Sequence, residues 1–136
     1  MNKGYIYITG FIGNIVNDDG SITKGVELID VIQQVQGQQF AESFDVIIKS
    51  PGGFVDVGFD IYDYIRSLKK PIKTIGIETV ASIATVIFMA GDERVLSPKT
   101  EFMIHLPTGS VQGTAEEIKN YSDLVLECEK RLLDFY

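Results

Sequence analysis

The chain of 136 residues is 45% hydrophobic, which suits one folded domain with its own core and argues against a disordered or repetitive chain. Its net charge of −7 argues against a nucleic-acid-binding surface, and one cysteine and one histidine are too few for a His/Cys zinc site or an internal disulfide. The sequence contains no secretory leader and no apolar run long enough to span a membrane, so we expect a cytoplasmic protein.

The first half of the chain predicts two strand–helix pairs. Residues 5–9 have the alternating aromatic and β-branched side chains of a strand, and residues 13–20 are a polar loop with a turn at its end. A helix is predicted for residues 21–36, with the serine at its start as the N-cap. The continuous apolar run 44–48 predicts a strand that is covered on both faces, and residues 55–68 predict a second helix.

The second half continues the alternation. Residues 72–77 predict a strand, and the almost wholly apolar residues 82–90 predict a short buried helix. Two short strands follow at 94–96 and 102–105, and a Thr-Ala-Glu-Glu capping box opens a helix that runs from residue 114 to the last residue. This order predicts an α/β fold with a mostly parallel sheet and right-handed crossovers.

The last helix is more apolar than a helix on the surface of a monomer needs to be. Its apolar side chains recur in steps of three and four and extend beyond one stripe. We therefore expect this helix to dock against another subunit of a homo-oligomer, or to continue into residues beyond Tyr136.

Ser82 is the first candidate for a chemical role. It follows a predicted strand and begins a buried helix, and ligands of α/β proteins collect at such places because helix N-termini offer N–H donors there. A serine here is also explained as a helix cap or as a small packing residue.

His105 and the segment Ser50–Gly53 are the other two candidates. His105 ends an apolar strand, where it either faces a cleft or is a core histidine bonded to a backbone carbonyl. In Ser50–Gly53, proline fixes φ and two glycines permit close backbone approach, which suits an oxyanion hole, a strip for an extended peptide, or an ordinary turn. A serine, an imidazole and such a loop are together the parts of a serine acyl-transfer site.

Five segments, in this order, resemble the Clp protease proteolytic subunit family: Ser50–Gly53, Gly58–Asp63, Ala81–Ala84, Met89–Asp92 and Met103–Pro107. The resemblance covers residues 4–136. Within the family, Met89–Asp92 and the surroundings of His105 are most similar to phage-encoded members associated with head maturation.

The resemblance implies a ClpP/crotonase-like fold of repeated ββα units, formed by residues 1–136 as one domain that ends in or just after a terminal "handle" helix. It implies Ser82 as the nucleophile and His105 as the general base, without metal or cofactor. The backbone N–H groups of Gly53 and Ile83 would form the oxyanion hole. The residues that would hold an extended polypeptide substrate are Gly52, Phe54, Leu106 and Pro107.

Three departures from the family pattern bear on function. The third member of the triad, an aspartate, is expected beyond Tyr136, and without it the site would be a Ser–His dyad or the chain a catalytically silent assembly subunit. Residues 78–80 replace a glycine-containing stretch ahead of the nucleophile. The segment that docks an AAA+ unfoldase in housekeeping members is not recognisable before Tyr5, so we expect a stand-alone protease. An acyl-CoA enzyme of the crotonase type is the remaining alternative.

Overall fold

The computed structural model describes residues 2–104 and 112–135. The chain divides into two compact units, one ending at Ile104 and the other beginning at His105. The first unit contains the sheet and three helices, and the second contains a single described helix. The prediction of one domain for the whole chain stays a prediction.

The described strands are β1 (Lys3–Thr9), β2 (Ile15–Val16), β3 (Ile22–Thr23), β4 (Ser43–Ser50), β5 (Ile72–Ala81), β6 (Glu93–Leu96) and β7 (Glu101–Met103). The helices are α1 (Leu28–Gln36), α2 (Val55–Ser67), α3 (Ala84–Phe88) and α4 (Ala115–Phe135). The main sheet has the order β1-β4-β5-β6, with β7 also beside β5, and all of these pairs are parallel. The predicted α/β fold with a parallel sheet is therefore confirmed.

The strand β5 changes its outer neighbour along its length. Its first part pairs with β6, and its last part, Thr79–Ala81, pairs with β7. Between the two parts lies a bulge, because Ile48 pairs with Gly76 whereas Ser50 pairs with Val80. Glu78 lies in this bulge with a φ of +56°. After the bulge, β5 pairs with β7 instead of β6. Ser82, the candidate nucleophile, directly follows this last part of β5.

The core lies on one face of the sheet, beneath the helices. Alternate residues of β1 are buried, as expected for a strand with one covered face. All five residues of α3 are buried, which confirms the predicted buried helix, although it is shorter than the prediction because β5 extends to Ala81. Each large side chain in such a core contributes about 1.5–3 kcal/mol. The largest fully buried ones include Phe44, Ile6, Ile8, Ile48, Ile61, Ile65 and Ile87.

The predicted helix over residues 21–36 is wrong in its first half. Ser21 does not cap a helix: its N–H donates to the Asp19 carboxylate (2.9 Å), and its carbonyl accepts a hydrogen bond from the Asn17 N–H (2.8 Å). These bonds close a turn between β2 and β3, which form an antiparallel hairpin. The helix α1 begins only at Leu28, after Glu27, whose N–H donates to the Asp30 carboxylate (2.8 Å).

The helix α4 begins as predicted. The Thr114 hydroxyl accepts a hydrogen bond from the Glu117 N–H (3.2 Å), which satisfies one of the N–H groups that a helix leaves unpaired at its start. Four large apolar side chains of α4 are exposed: Ile118, Leu124, Leu126 and Leu133. No helix in the described ranges combines the length and the apolar character needed to cross a membrane.

Candidate active site

Ser82 lies in the link between β5 and α3, and its backbone is in the left-handed region, with a φ of +57°. This conformation costs a residue with a side chain about 1–2 kcal/mol. Three hydrogen bonds hold it. The Ser82 N–H donates to the Met103 carbonyl (2.8 Å), and the Ser82 carbonyl accepts from the N–H and the hydroxyl of Thr85 (3.0 and 2.7 Å). The N-cap of α3 is Ile83, so Ser82 is not its cap residue.

The segment Ser50–Gly53 lies directly beside Ser82. The hydroxyl of Ser50, a residue only 1% exposed, accepts a hydrogen bond from the Gly52 N–H (3.1 Å). Gly52 has a φ of +102°, and a β-carbon added there would lie 2.6 Å from the Ser82 Cβ. Only glycine permits this close approach, which joins the diglycine turn to the candidate nucleophile.

The orientation of Gly53 is set by Ile12, which sequence reasoning did not identify. The Ile12 N–H donates to the Gly52 carbonyl and the Ile12 carbonyl accepts from the Phe54 N–H, both at 2.9 Å. In extended backbone, successive residues direct their N–H and C=O groups to opposite sides. The N–H and C=O of Gly53 therefore point away from Ile12. The Gly53 N–H donates to no acceptor in the described part of the chain.

Ile83 supplies a second N–H group beside Ser82. It also donates to no acceptor among residues 2–104 and 112–135. The Ile83 side chain is buried against Gly58 of α2, where a β-carbon would overlap the Ile83 Cγ1. This close contact between α2 and α3 fixes the position of the Ile83 backbone. Backbone N–H groups that are held in place and left without a partner can stabilise an oxyanion.

Phe54 lies at the rim of this arrangement. Its side chain is about half exposed (49%), and its ring meets that of Phe11 edge to face at a centroid distance of 5.6 Å. The surface beside Gly52 and Gly53 is therefore apolar and partly open to a ligand. No set of three or more His, Cys, Asp or Glu side chains within the described residues is arranged to hold a metal ion.

Three predicted site residues, His105, Leu106 and Pro107, lie outside the described residues. The described strand that precedes them, β7, ends at Met103, whose carbonyl accepts the Ser82 N–H. The structure thus brings together Ser82, Gly52, Gly53 and Ile83. It also places β7, the strand that precedes His105 in the sequence, beside Ser82. Neither the Met103 carbonyl nor Ile12 has a sequence signature, because both act through the backbone.

Comparison with known proteins agrees with this architecture. The Clp protease family matches residues 38–136, a range that includes the diglycine turn, Ser82 and His105. The structure is similar to a ClpP1 mutant from Listeria monocytogenes, with a TM-score of 0.75 and 26% sequence identity. This match covers 96% of the present chain and 68% of that chain. The parallel sheet and the terminal helix match the ClpP fold, so the predicted fold class is confirmed.

Proposed function

Because the chain belongs to the Clp protease family, whose model matches residues 38–136, we propose that it is a serine endopeptidase with Ser82 as nucleophile and His105 as general base. Its family and fold are those of a ClpP-like peptidase. The observation that carries the proposal is the setting of Ser82. A serine held at a φ of +57° touches a diglycine turn and is flanked by two N–H groups without a described acceptor.

The proposed reaction has two halves. In the first, His105 takes the proton of the Ser82 hydroxyl while Oγ attacks the peptide carbonyl, and the N–H groups of Gly53 and Ile83 bind the oxyanion. The tetrahedral intermediate then collapses, and the amine leaves with the proton returned by His105. In the second half, His105 takes a proton from water, hydroxide attacks the ester, and Ser82 leaves as a hydroxyl. One oxyanion donor contributes about 3–4 kcal/mol to such a reaction.

The substrate we propose is an extended polypeptide. Because the Gly53 C=O points away from Ile12, it can accept a hydrogen bond from the backbone of a peptide that lies alongside as an added β-strand, while the Gly53 N–H binds the oxyanion. Gly52 and Phe54 would flank this strand on one side, and Leu106 and Pro107 on the other. An acyl-CoA enzyme would have no need for such a strip of main-chain hydrogen bonds.

We further propose a ring-type homo-oligomer in the cytoplasm. The four exposed apolar side chains of α4 support subunit contacts, since a partner that covers them removes apolar surface from water. Light scattering should give a mass of several chains, and Leu124→Ser together with Leu126→Ser should lower it. A monomeric wild-type protein at high concentration would contradict this part of the proposal.

The resemblance of Met89–Asp92 to phage members extends the proposal to processing of phage head proteins. Co-expression with an unprocessed head protein should yield fragments that disappear in Ser82→Ala. Cleavage of unfolded peptides without cleavage of head protein would leave a general peptidase instead.

The test of the proposed chemistry is labelling by a fluorophosphonate, which reacts only with an activated serine. The wild-type protein should be labelled at Ser82 and should cleave unfolded polypeptide, and His105→Ala should lose both properties. Ser67→Ala, which changes a serine at the end of α2, is the matched control and should behave as wild type. A folded wild-type chain that stays unlabelled would instead be a catalytically silent assembly subunit.

A further inference from the structure

Two glutamine side chains bond to the backbone of β1. The Gln38 amide accepts the Tyr5 N–H and donates to the Tyr5 carbonyl, both at 2.7 Å. The Gln34 amide accepts the Tyr7 N–H (2.7 Å) and donates to the Tyr7 carbonyl (3.0 Å). Each primary amide thus pairs with one residue as a neighbouring strand would, through one donor and one acceptor.

This pairing depends on a match between the spacing of residues along a helix and the spacing of residues along a strand. Gln34 lies in α1 and Gln38 in the turn that follows it, four residues on, and the segment runs antiparallel to β1. Four residues of helix rise about 6 Å, and two residues of strand span about 6.7 Å. Amides spaced by four residues on a helix can therefore reach every second residue of a strand. A fifth hydrogen bond fixes the geometry, since the Gln38 amide also donates to the Gln34 carbonyl (3.0 Å).

The bonds fall on the outer edge of the sheet. In the described structure β1 pairs only with β4, and its alternate residues Tyr5 and Tyr7 direct their backbone groups outward. An unpaired strand edge is a template for another extended chain. Beside this edge the Tyr5 and Tyr7 side chains are exposed at 45% and 53%, and α1 packs against the same strand.

We propose that Gln34 and Gln38 form an amide clamp that closes the β1 edge to strand addition. A polypeptide, including a second copy of this chain, is then excluded from β1 because no donor or acceptor of Tyr5 or Tyr7 is open to it. On the proposed function, which this second step rests on, strand addition at Gly52–Phe54 leads to cleavage, and the clamp removes β1 as a competing edge.

Hydrogen exchange of the backbone tests the clamp directly. In the wild-type protein the Tyr5 and Tyr7 amides should exchange at least ten-fold more slowly than the Thr9 amide, which faces outward by the same alternation. In Gln34→Ala with Gln38→Ala, the Tyr5 and Tyr7 amides should exchange at least ten-fold faster than in wild type. The Ile6 and Ile8 amides, which face β4, should not change.

A binding measurement tests the consequence. The probe is a fluorescein-labelled peptide with the sequence of β4, residues 43–50, which already pairs with the inner edge of β1. The clamp variant should bind it saturably, and wild type should not. The matched control is Gln33→Ala with Gln36→Ala, which removes two exposed glutamines of the same helix that bond to no described residue through their side chains. The control should behave as wild type.

The outcomes separate this inference from the proposed peptidase activity. All proteins in both experiments carry Ser82→Ala, including the reference protein with intact glutamines, so neither exchange nor binding depends on hydrolysis. Unprotected Tyr5 and Tyr7 amides in this reference protein would overturn the clamp, and this measurement needs no glutamine variant. A clamp variant that exposes these amides and still rejects the peptide would overturn the edge-closing role. If the alanine variant does not fold, Gln34→Met with Gln38→Met keeps the helix and removes the same four bonds.

Discussion

Gly52 and Ser82 are in direct contact, and the contact leaves no room for a side chain at position 52. A β-carbon there would lie 2.6 Å from the Ser82 Cβ and 2.9 Å from the Ala81 carbonyl oxygen. Gly10 has the same φ of +102°, but a β-carbon added to Gly10 would have no neighbouring atom within 4 Å. A comparison of substitutions at Gly10 and Gly52 therefore separates the cost of a positive φ from the cost of a steric clash.

We expect Gly10→Ala to lower the free energy of unfolding by about 1 kcal/mol, which is the cost of the left-handed backbone alone. Gly52→Ala should lose about 1–3 kcal/mol more, because Ser82 or Ala81 must move. Its peptidase activity should fall at least about 100-fold, as displacement of a nucleophile by about 1 Å does. Urea unfolding and peptide hydrolysis measure the two effects, and equal behaviour of the two variants would contradict the contact.

The left-handed backbone of Ser82 predicts that this residue lowers the stability of the fold while it supplies the nucleophile. Ser82→Gly should raise the free energy of unfolding by about 1 kcal/mol, because glycine adopts a φ of +57° without cost. Ser82→Ala should leave stability nearly unchanged, since alanine keeps the strain. Both variants should lose fluorophosphonate labelling. Thermal unfolding of the three proteins makes the comparison, and a glycine variant less stable than the alanine variant would be contrary to this account.

The bulge in β5 makes a similar prediction away from the nucleophile. Glu78 adopts a φ of +56° and pairs with Lys49 at 2.8 Å, and both side chains are largely exposed. Exposed ion pairs contribute less than about 1 kcal/mol, so relief of strain should dominate in Glu78→Gly. We expect this variant to gain about 0.5–1 kcal/mol. Lys49→Ala, which removes the same ion pair without changing the backbone at 78, should gain nothing.

Asp92 predicts a dependence of stability on acid. A hydrogen bond from the Ile72 N–H (2.9 Å) and, after it, the Arg66 guanidinium lower the pKa of Asp92 below its usual value. A lowered pKa in the folded state stabilises fully above the unfolded value of about 4, and this stabilisation is lost as pH falls through the folded value. The loss should be less than about 1 kcal/mol, because the ion pair is half exposed.

Urea unfolding from about pH 6 down to about pH 2.5 tests this prediction. Asp92→Asn should be less stable than wild type at the higher pH and should approach it at the lower pH. Asp63→Asn, which changes an exposed aspartate of α2 that pairs with no described residue, is the control for the loss of a surface carboxylate. A difference between Asp92→Asn and wild type that stays constant with pH would contradict the role given to the Asp92 carboxylate.

Most of the fold could be predicted from side-chain periodicity and helix signals. The apolar run at 44–48 and the capping box at Thr114 lie inside or at the start of elements of the predicted type. The hairpin of β2 and β3 could not be predicted, because each of its strands has two residues and its apolar side chains mimic the spacing of a helix. The hydrogen bonds of Asp19 to Ser21 decide against that helix.

The sequence could predict only those residues of the candidate site whose type is itself informative, such as a serine or a glycine pair. Ser82 and the diglycine turn were identified from their local sequence, and the structure brings them into contact. Ile12 was not identified, because its role is a pair of main-chain hydrogen bonds to Gly52 and Phe54, about 40 residues further along the sequence. Nor could the sequence distinguish Gln34 and Gln38 from the neighbouring glutamines, which look alike as a solvated helix face.

Two backbone hydrogen bonds close the base of the hairpin formed by β2 and β3, on the side next to the candidate site. The Gly13 N–H donates to the Val26 carbonyl (2.8 Å), and the Val26 N–H donates to the Phe11 carbonyl (2.7 Å). Everything between these bonds can lengthen or shorten without pulling on Ile12 or Gly53. The turn at Asp18–Gly20 is therefore a position where an affinity tag or a fluorescent reporter can be spliced into the chain while the peptidase centre keeps its shape.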